Sequence, residues 1–485
     1  METIDLPPYA PALMESTRAI GYSFETAIAD ILDNSITAGA TKIDIAFFPI
    51  EKPYISILDN GVGMDREELI TAMRYGSENP LNTRSLDDLG RFGMGLKTAS
   101  MSQCRKLTVI SKKNGAITVA CWDLDHVART GEWSLQILNY EKIENLTHVK
   151  ELNKLSSGTV VFWENLDRMK IGELNFDRSM GKYIDKARDH LSLVFHRYIS
   201  GEAGIKKIKL NINGIVVEAA DPFLIKKSTQ SMDEEIIYIE KEKILVKPYT
   251  LPHISKLTKK EIDMLGGKDG IRKTQGFYVY RNKRLLVWGT WFNLMRKGEL
   301  SKLARVQIDI PNSLDSLWTL DIKKSMAVPP EVVRQNVAPI INRIGEASKR
   351  IWTYRGKKEL DDSITHIWNR LKTREEGIVY ELNRSHPLIE NINEKSGKEK
   401  NLIEQLLKQI ESNLPLNQLY IDLTNDAPII NESDTTIEEV TYLAKELLSS
   451  CNTENERDSM VQMLSLTEPF NQHRDILKTI NEEAF

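Results

Sequence analysis

Ala27-Ile28-Ala29-Asp30-Ile31-Leu32-Asp33-Asn34-Ser35 reads as an amphipathic helix. Ile28, Ile31 and Leu32 form an apolar stripe, while Asp30 and Asn34, four residues apart, share another face and can converge on one ligand. A carboxylate and a carboxamide on a common face suit a hydrated metal ion. Downstream, Leu58-Asp59-Asn60-Gly61-Val62-Gly63-Met64 is a strand that ends in an acceptor, followed by a turn whose glycines let backbone approach a ligand closely. Gly90-Arg91-Phe92-Gly93-Met94-Gly95-Leu96-Lys97 is a glycine-rich loop running into a helix, where free N–H groups and the positive helix end favour phosphate. In this order the three stretches describe a purine nucleotide site.

Outward from that core, 485 residues provide for two to four domains. The apolar fraction of 41% and charged fraction of 28% are those of an ordinary soluble protein. No run approaches the roughly 18 to 20 apolar residues of a membrane span, and the acidic Met1-Glu2-Thr3-Ile4-Asp5 start does not read as a signal peptide, so a cytoplasmic location and no membrane partner are expected. Cys104, Cys121 and Cys451 are too few and too scattered for a disulfide framework or a zinc site, and read as small apolar residues. Charge is divided along the chain: residues 251–360 hold 22 Lys and Arg against 10 Asp and Glu, and residues 361–485 hold 12 against 24. Such an asymmetry fits either two solvated surfaces or a basic segment facing nucleic acid.

In chain order, Pro7, Pro8 and Pro11 predict an extended arm over residues 1–20 rather than a helix, either loose or docked on a neighbour. A helix over Ser23 to Ala38 ends at Gly39. Alternation predicts strands at Thr41 to Phe48 and Tyr54 to Leu58, and Asp65 to Tyr75 is a short helix. Gly76 to Leu89 is polar and aperiodic, and its place beside a phosphate loop suits either a lid, here taken as 76–92, or an ordinary surface loop. Leu96 to Ser102 begins a helix, strands follow at Lys106 to Ser111, Ala116 to Trp122, Trp133 to Leu138 and Ser157 to Trp163, and a helix over Gly181 to Ile199 closes an α+β sandwich. A second unit from about Lys206 to Val328 contains the Asn213-Gly214 hairpin, a strand–turn–strand at Gly276 to Leu286 and a strand at Arg305 to Ile310. Past Pro330 the pattern turns helical, with helices expected at Glu331 to Thr353, Ser363 to Leu382, Lys400 to Leu414 and Thr436 to Ser450.

These motifs together resemble the GHKL ATPases, the superfamily of DNA gyrase B, heat-shock chaperones, histidine kinases and MutL, over residues 15 to about 195. Asp30-x-x-x-Asn34 resembles the N box, Asp59-x-Gly61-x-Gly63 the adenine-binding box, Gly90 to Lys97 the glycine box at the end of the lid, and Gly158-Thr159 the small-residue pair completing the adenine pocket. Asp33 to Ile45 and Leu89 to Ser102 are closer in pattern to MutL and MORC proteins than to kinases. The stretch from Tyr280 to Leu286, followed by Asp321 to Ser325, resembles the appended transducer domain. With little chain before Ala27 to carry a phospho-accepting helix, kinase activity is not expected.

The resemblance implies an α+β fold in three parts: an N-terminal Bergerat-type α/β sandwich ATPase domain with arm and lid (1–200), a ribosomal-S5-like transducer domain (201–330), and a C-terminal helical domain for dimerisation or partner binding (331–485). It implies ATP and Mg²⁺ as ligands. Asn34 would hold the metal, and Asp59 would accept from the adenine amino group, with Gly61, Gly63, Met64 and Thr159 around the base. Gly90, Arg91, Phe92, Gly93, Met94, Gly95, Leu96 and Lys97 would cradle phosphate, and Lys323 or Lys324 would reach the γ-phosphate. Asp30 would orient the attacking water, one methylene shorter than the Glu usual in the family, so slow rather than absent hydrolysis is expected. The function implied is a slowly hydrolysing molecular clamp that forms a homodimer on ATP and acts on DNA, in bacterial repair, restriction or phage (antiviral) defence. A protein partner such as a nuclease or helicase would bind the C-terminal region. The competing readings are a chaperone-like ATPase remodelling protein clients and a non-catalytic ATP-sensing scaffold.

Overall fold

The computed structural model describes residues 3–76, 95–298, 301–314, 318–320, 327–353, 364–372, 378–395, 400–415, 419 and 436–482, less positions 5, 7, 20, 174, 229, 232, 240, 450 and 452. The chain forms two compact units, Met1–Thr353 and Tyr354–Phe485.

The first unit is built on an eight-stranded sheet whose order, β5-β4-β3-β6-β2-β1-β7-β8, places strands distant in sequence side by side. The strands are β1 (Lys42–Phe48), β2 (Tyr54–Asp59), β3 (Lys106–Lys113), β4 (Ala116–Asp123), β5 (Gln136–Ile137), β6 (Gly158–Glu164), β7 (Lys209–Ile212) and β8 (Ile215–Val216). Helices α1 (Ala10–Arg18), α2 (Phe24–Thr37), α3 (Arg66–Met73), α4 (Gly95–Met101), α5 (Leu124–Thr130), α6 (Val149–Lys154), α7 (Asp167–Lys170), α8 (Phe176–Val194) and α9 (His196–Ser200) accompany it. Period-two alternation divides β2, β3, β4 and β6 between two cores. Ile55 and Ile57 of β2 join Ile28, Ile31 and Leu32 of α2 and Leu191 of α8 on one face, whereas Leu58 joins Val149 and Leu152 of α6 on the other.

The expected elements around the motifs are present, with three differences in this region. The N-terminal arm contains a helix, α1, because Pro11 falls in the first turn, where its missing N–H has no intrahelical partner to lose. That helix docks on its own domain: Arg18, 2% exposed, donates from Nε to the Met101 carbonyl at 2.7 Å and from Nη2 to Asp167 at 2.5 Å. The closing helix begins at Phe176 rather than Gly181, capped by Asn175, and is interrupted at Phe195 before α9. The hairpin of β7 and β8, turned at Asn213-Gly214 with φ of 48° and 78°, belongs to the first sheet, because β7 pairs in parallel with β1 and buries Leu210 and Ile212 in the first core.

The second sheet of this unit contains β9 (Gln230–Ser231), β10 (Glu235–Ile239), β11 (Glu242–Thr250), β12 (Gly276–Arg281), β13 (Arg284–Thr290) and β14 (Ala304–Ile310), in the order β10-β11-β14-β12-β13 with β9 on β11. Helices α10 (Lys259–Met264) and α11 (Gly267–Lys273) lie between β11 and β12 in the chain, and β15 (Thr319–Leu320) pairs with β16 (Ala327–Val328). Helix α12 (Glu331–Thr353), grouped by sequence with the C-terminal region, packs Val333, Val337, Ile340, Ile341 and Ile344 into the core of this second sheet.

The unit Tyr354–Phe485 departs from an all-helical expectation. The helix expected over Ser363 to Leu382 is an antiparallel hairpin of β17 (Trp368–Lys372) and β18 (Ile378–Leu382), registered from Trp368↔Leu382 to Lys372↔Ile378. Ile378, Val379 and Tyr380 suit a pleated surface, and ladder bonds with Trp368 to Lys372, out of reach of a helical-period reading, decide the outcome. Helices α13 (Pro387–Lys395) and α14 (Lys400–Ser412) follow, and helices at Ile437–Leu448, Glu454–Leu464 and Arg474–Glu482 enclose Val440, Ala444, Leu464, Phe470 and Leu477.

The two sheets of the first unit meet along a polar seam. His196, 5% exposed, makes a 2.8 Å hydrogen bond between its Nε2 and the Tyr280 hydroxyl. Tyr198 donates its hydroxyl to the Asn282 carbonyl at 2.6 Å, and Arg197 stacks over Tyr280 at 4.8 Å while pairing with Glu202 and Asp309. Burial, with the Arg197 charge adding to it, pushes the His196 imidazole down to about 3. A base depressed in this way contributes stability that is present above its unfolded value near 6.5 and is lost as the pH falls towards 3. Between pH 7 and pH 5 the loss is about 2 kcal/mol for this one group. His196→Gln, which keeps an amide for Tyr280 and removes the titration, is expected to shrink the difference between urea-unfolding free energies at pH 7 and pH 5 by that amount. An unchanged difference would show that His196 titrates normally.

Candidate functional site

Helix α2 is the organising element. Its N-cap is Ser23, whose side chain accepts from the Thr26 amide, and its inner face is buried from Phe24 to Ser35. Along this face the helix carries Asp30, 4% exposed, and Asp33, 1% exposed, while Asn34 remains exposed one turn beyond Asp30. Ser35 then donates its hydroxyl to Asp59 Oδ2 at 2.8 Å, tying the helix to the end of β2. One helix therefore presents a buried carboxylate, an exposed carboxamide and a link to a second buried carboxylate.

Asp59 is the last residue of β2 and is paired across the ladder with Thr159 of β6. The Gly61 amide donates to its Oδ1 at 2.9 Å. Ser111 lies beside Thr159, their hydroxyl oxygens 2.9 Å apart, and accepts from the Met64 amide at 2.8 Å. Ser157 donates to the Gly61 carbonyl at 2.7 Å, so the glycine turn is held from both sides. Glycine is required in that turn: at Gly63, with φ of 68°, a Cβ would lie 2.0 Å from the Lys112 carbonyl oxygen, and at Gly61 it would lie 2.9 Å from that of Ala38. Burial pushes the Asp59 carboxyl above its ordinary value, opposed by the Gly61 amide, the Ser35 hydroxyl and Thr159. A buried carboxylate held by neutral donors keeps lone pairs for a further one, and an exocyclic amine would satisfy it.

At the other end of the site, Asp30 Oδ2 accepts from the Tyr22 hydroxyl at 2.8 Å. The Gly95 backbone passes close to it: a Cβ there would lie 3.6 Å from Asp30 Oδ2. Gly95 and Leu96 open α4, and Lys97, 2% exposed, donates Nζ to the Ala72 carbonyl at 2.9 Å, which anchors α4 to α3. The structure thus brings Asp30, Asn34, Asp59, Gly61, Gly63, Met64, Gly95, Leu96, Lys97 and Thr159 into one domain. Gly90, Arg91, Phe92, Gly93 and Met94, the lid beyond Gly76, and both Lys323 and Lys324 lie outside the described residues.

Among the described residues no cluster of three or more His, Cys, Asp or Glu could cage a metal ion. The donor set instead fits Mg²⁺, which takes few protein ligands and completes its shell with water and phosphate oxygens. Asn34 is the residue here that could supply such a contact.

Sequence reading passed over Tyr22, Ser35, Ser111 and Arg284. Arg284 of β13 sends its Nε to Asp33 Oδ1 at 3.0 Å and its Nη2 to within 4.0 Å of Asp30 Oδ1. The cluster Arg281-Asn282-Lys283-Arg284 was a visible signal, but its target lies about 250 residues away in the chain.

If Asp59 receives a base amine, Asp59→Asn is expected to fold with a melting temperature at or slightly above that of the parent, because a buried charge is removed, and to lose the thermal shift that a non-hydrolysable ATP analogue gives the parent. A full ligand shift in the variant would remove Asp59 from nucleotide recognition.

Residues 22–159 match the model of the family described as histidine kinase-, DNA gyrase B-, and HSP90-like ATPase. The ATPase morc-1 of Caenorhabditis elegans is 28% identical over 182 residues, covering 31% of this chain and 21% of that protein. The DNA mismatch repair protein MutL of Agrobacterium fabrum is 36% identical over 92 residues, covering 19% of this chain and 15% of its own length. The chain therefore matches about a fifth or less of these relatives. A crystal structure of the N-terminal domain of a DNA repair protein overlaps 69% of this chain and 99% of its own, at a TM-score of 0.42 and 15% identity, a likeness too loose to bear on function. Residues 22–159, with the acid helix, the Asp-Gly turn and the Thr159 strand in the order found above, form a GHKL-type ATPase domain similar in sequence to MORC and MutL proteins.

Proposed function

We propose that the chain binds Mg·ATP and hydrolyses it slowly, and that it acts as an ATP-operated clamp on DNA. The observation carrying this reading is that α2 bears Asp30 and Asn34 one turn apart and, through Ser35, holds the buried acceptor Asp59. The adenine amino group donates to Asp59, with Gly61, Gly63, Met64 and Thr159 around the base. The phosphates extend towards Gly95 and Leu96, where the start of α4 offers backbone N–H groups. Asn34 holds Mg²⁺, which when bound neutralises phosphate charge. Asp30 orients the attacking water, and the rest of the catalysis is positioning.

Asp30 is a methylene shorter than the Glu usual in such domains, so the pocket must be drawn in for it to reach. The close Gly95 backbone and the 2.8 Å bond from Tyr22 support that arrangement.

The second sheet, with β12 and β13, is read as the transducer, and Lys323 or Lys324 as the lysine that reaches the γ-phosphate. The relative named as a DNA mismatch repair protein favours DNA as the partner, and dimerisation on ATP follows from the family resemblance. The basic excess of residues 251–360 supports the DNA part less than its count suggests, because Arg281, Arg284, Lys302 and Arg305 are buried. Repair, restriction or phage defence would each use such a clamp, and the unit Tyr354–Phe485 would carry dimerisation or a nuclease or helicase partner.

Phosphate release measured with and without DNA tests the whole reading. ATP turnover stimulated by DNA and lowered on the order of 10²-fold by Asp30→Ala is expected. Light scattering should show the mass doubling with a non-hydrolysable ATP analogue, and DNA affinity should fall steeply with salt. Turnover indifferent to Asp30→Ala would refute the catalytic assignment, and equal mass with and without the analogue would refute the clamp.

A further inference from the structure

Arg284 is the first residue of β13 and is 4% exposed. Besides facing Asp30, its guanidinium donates from Nε to Asp33 Oδ1 at 3.0 Å and from Nη1 to the Leu285 carbonyl at 3.0 Å, its plane sits 5.7 Å from the Phe195 ring at the junction of α8 and α9, and its charge reaches the buried His190 imidazole. Nη2 stands 4.0 Å from Asp30 Oδ1, beyond hydrogen-bond range but close enough to act through charge. The other carboxylate oxygen of Asp30 accepts from Tyr22. Asp30 is thus bracketed, with a hydroxyl from its own domain on one oxygen and a fixed positive charge from the second sheet facing the other. Arginine does not lose its proton in proteins, so this group is a permanent charge and not an acid or base.

The turn that delivers Arg284 is unusual and firmly seated. Asn282 and Lys283 have φ of 48° and 65°, both left-handed, and the second is a residue that seldom adopts such a conformation. Tyr198 donates to the Asn282 carbonyl at 2.6 Å and Lys283 pairs with Glu202 at 3.2 Å, so both turn residues are fastened to the ATPase domain, one on α9 and one just past it. A strained turn pinned at two points and ending in a buried ion pair is a rigid coupling between the second sheet and α2.

We propose that Arg284 is a positioning residue for ATP turnover: by holding Asp33 it sets the acidic face of α2, and through its approach to Asp30 it directs the carboxylate that orients water. Turnover then depends on how the turn between β12 and β13 sits on α2, which makes the second sheet a condition of catalysis and not an appendage. The proposal rests on the reading of Asp30 as the water-orienting group.

The test uses the full chain carrying Arg284→Met together with Asp33→Asn, which removes both charges and leaves neither buried alone. This double variant is expected to melt cooperatively but below the parent, because Asp30 loses the cation that faces it, to bind a non-hydrolysable ATP analogue within about threefold of the parent, and to lose kcat on the order of 10²-fold with KM little changed. Arg284→Lys, whose single ammonium cannot serve both carboxylates, is expected to fold and to lose kcat by about tenfold. A purely structural role predicts parental kcat in any variant that folds, so parental kcat in a folded double variant overturns the proposal. A loss confined to analogue affinity does the same. If the double variant does not melt cooperatively, Arg284→Lys decides: lowered kcat with retained affinity supports the proposal, and parental kcat overturns it. A parent chain that releases no phosphate from ATP overturns the assignment of Asp30 and this proposal with it, whereas normal parent turnover with an unaffected double variant overturns this proposal alone.

Discussion

Burying two carboxylates on one helix is the constraint around which the first unit is assembled. Asp30 and Asp33 lie on the inner side of α2 at 4% and 1% exposure, where an uncompensated charge is severely unfavourable. Compensation comes among others from the Tyr22 hydroxyl just before the helix and from the Arg284 guanidinium on the far strand of the second sheet. Neither could be supplied by the helix itself, since i and i+4 neighbours on α2 offer no cation. The domain that holds the acidic helix therefore needs the second sheet for electrostatic reasons before any question of coupling arises.

The same logic of satisfying buried polar groups with neighbours explains the opposite end of the site. Asp59 closes β2 with one oxygen on the Gly61 amide and the other on the Ser35 hydroxyl, all neutral donors. This leaves the group ready to accept one more donor and places it next to Thr159, Ser111 and the Met64 amide. The acid on α2 and the acid at the end of β2 thus have different surroundings, a fixed cation facing Asp30 and neutral donors at Asp59. That division suits one for directing water and the other for recognising a base.

Much of the first domain was legible because its cues are local. Helix periodicity over α2, alternation over β1 and β2, the Asp-x-Gly-x-Gly turn and the Asn213-Gly214 hairpin each draw on interactions within a few residues. Two of the differences arise where partners are remote, and one where position within a turn outweighs residue type. Ser363 to Leu382 has apolar spacing that a helix could use, and only pairing across the hairpin makes it two strands. β7 resembles the beginning of a new domain in sequence, yet it completes the first sheet because β1 has an edge for it. Pro11 argued against helix by type, whereas its position in the first turn allows one.

By itself the sequence determined which residues could form a nucleotide site: an acid and an amide one helical turn apart, an Asp before two glycines, and a glycine-rich loop before a helix, all short-range patterns set by backbone geometry and side-chain chemistry. Only the tertiary structure decided how those acids are neutralised and held, since Ser35 must meet Asp59 across 24 positions and Arg284 must meet Asp33 across 251. Contacts at that separation leave no periodic trace in the chain. The first exists because α2 packs against the sheet in which β2 ends at Asp59, and the second because two sheets pack along a seam where buried charge requires a partner.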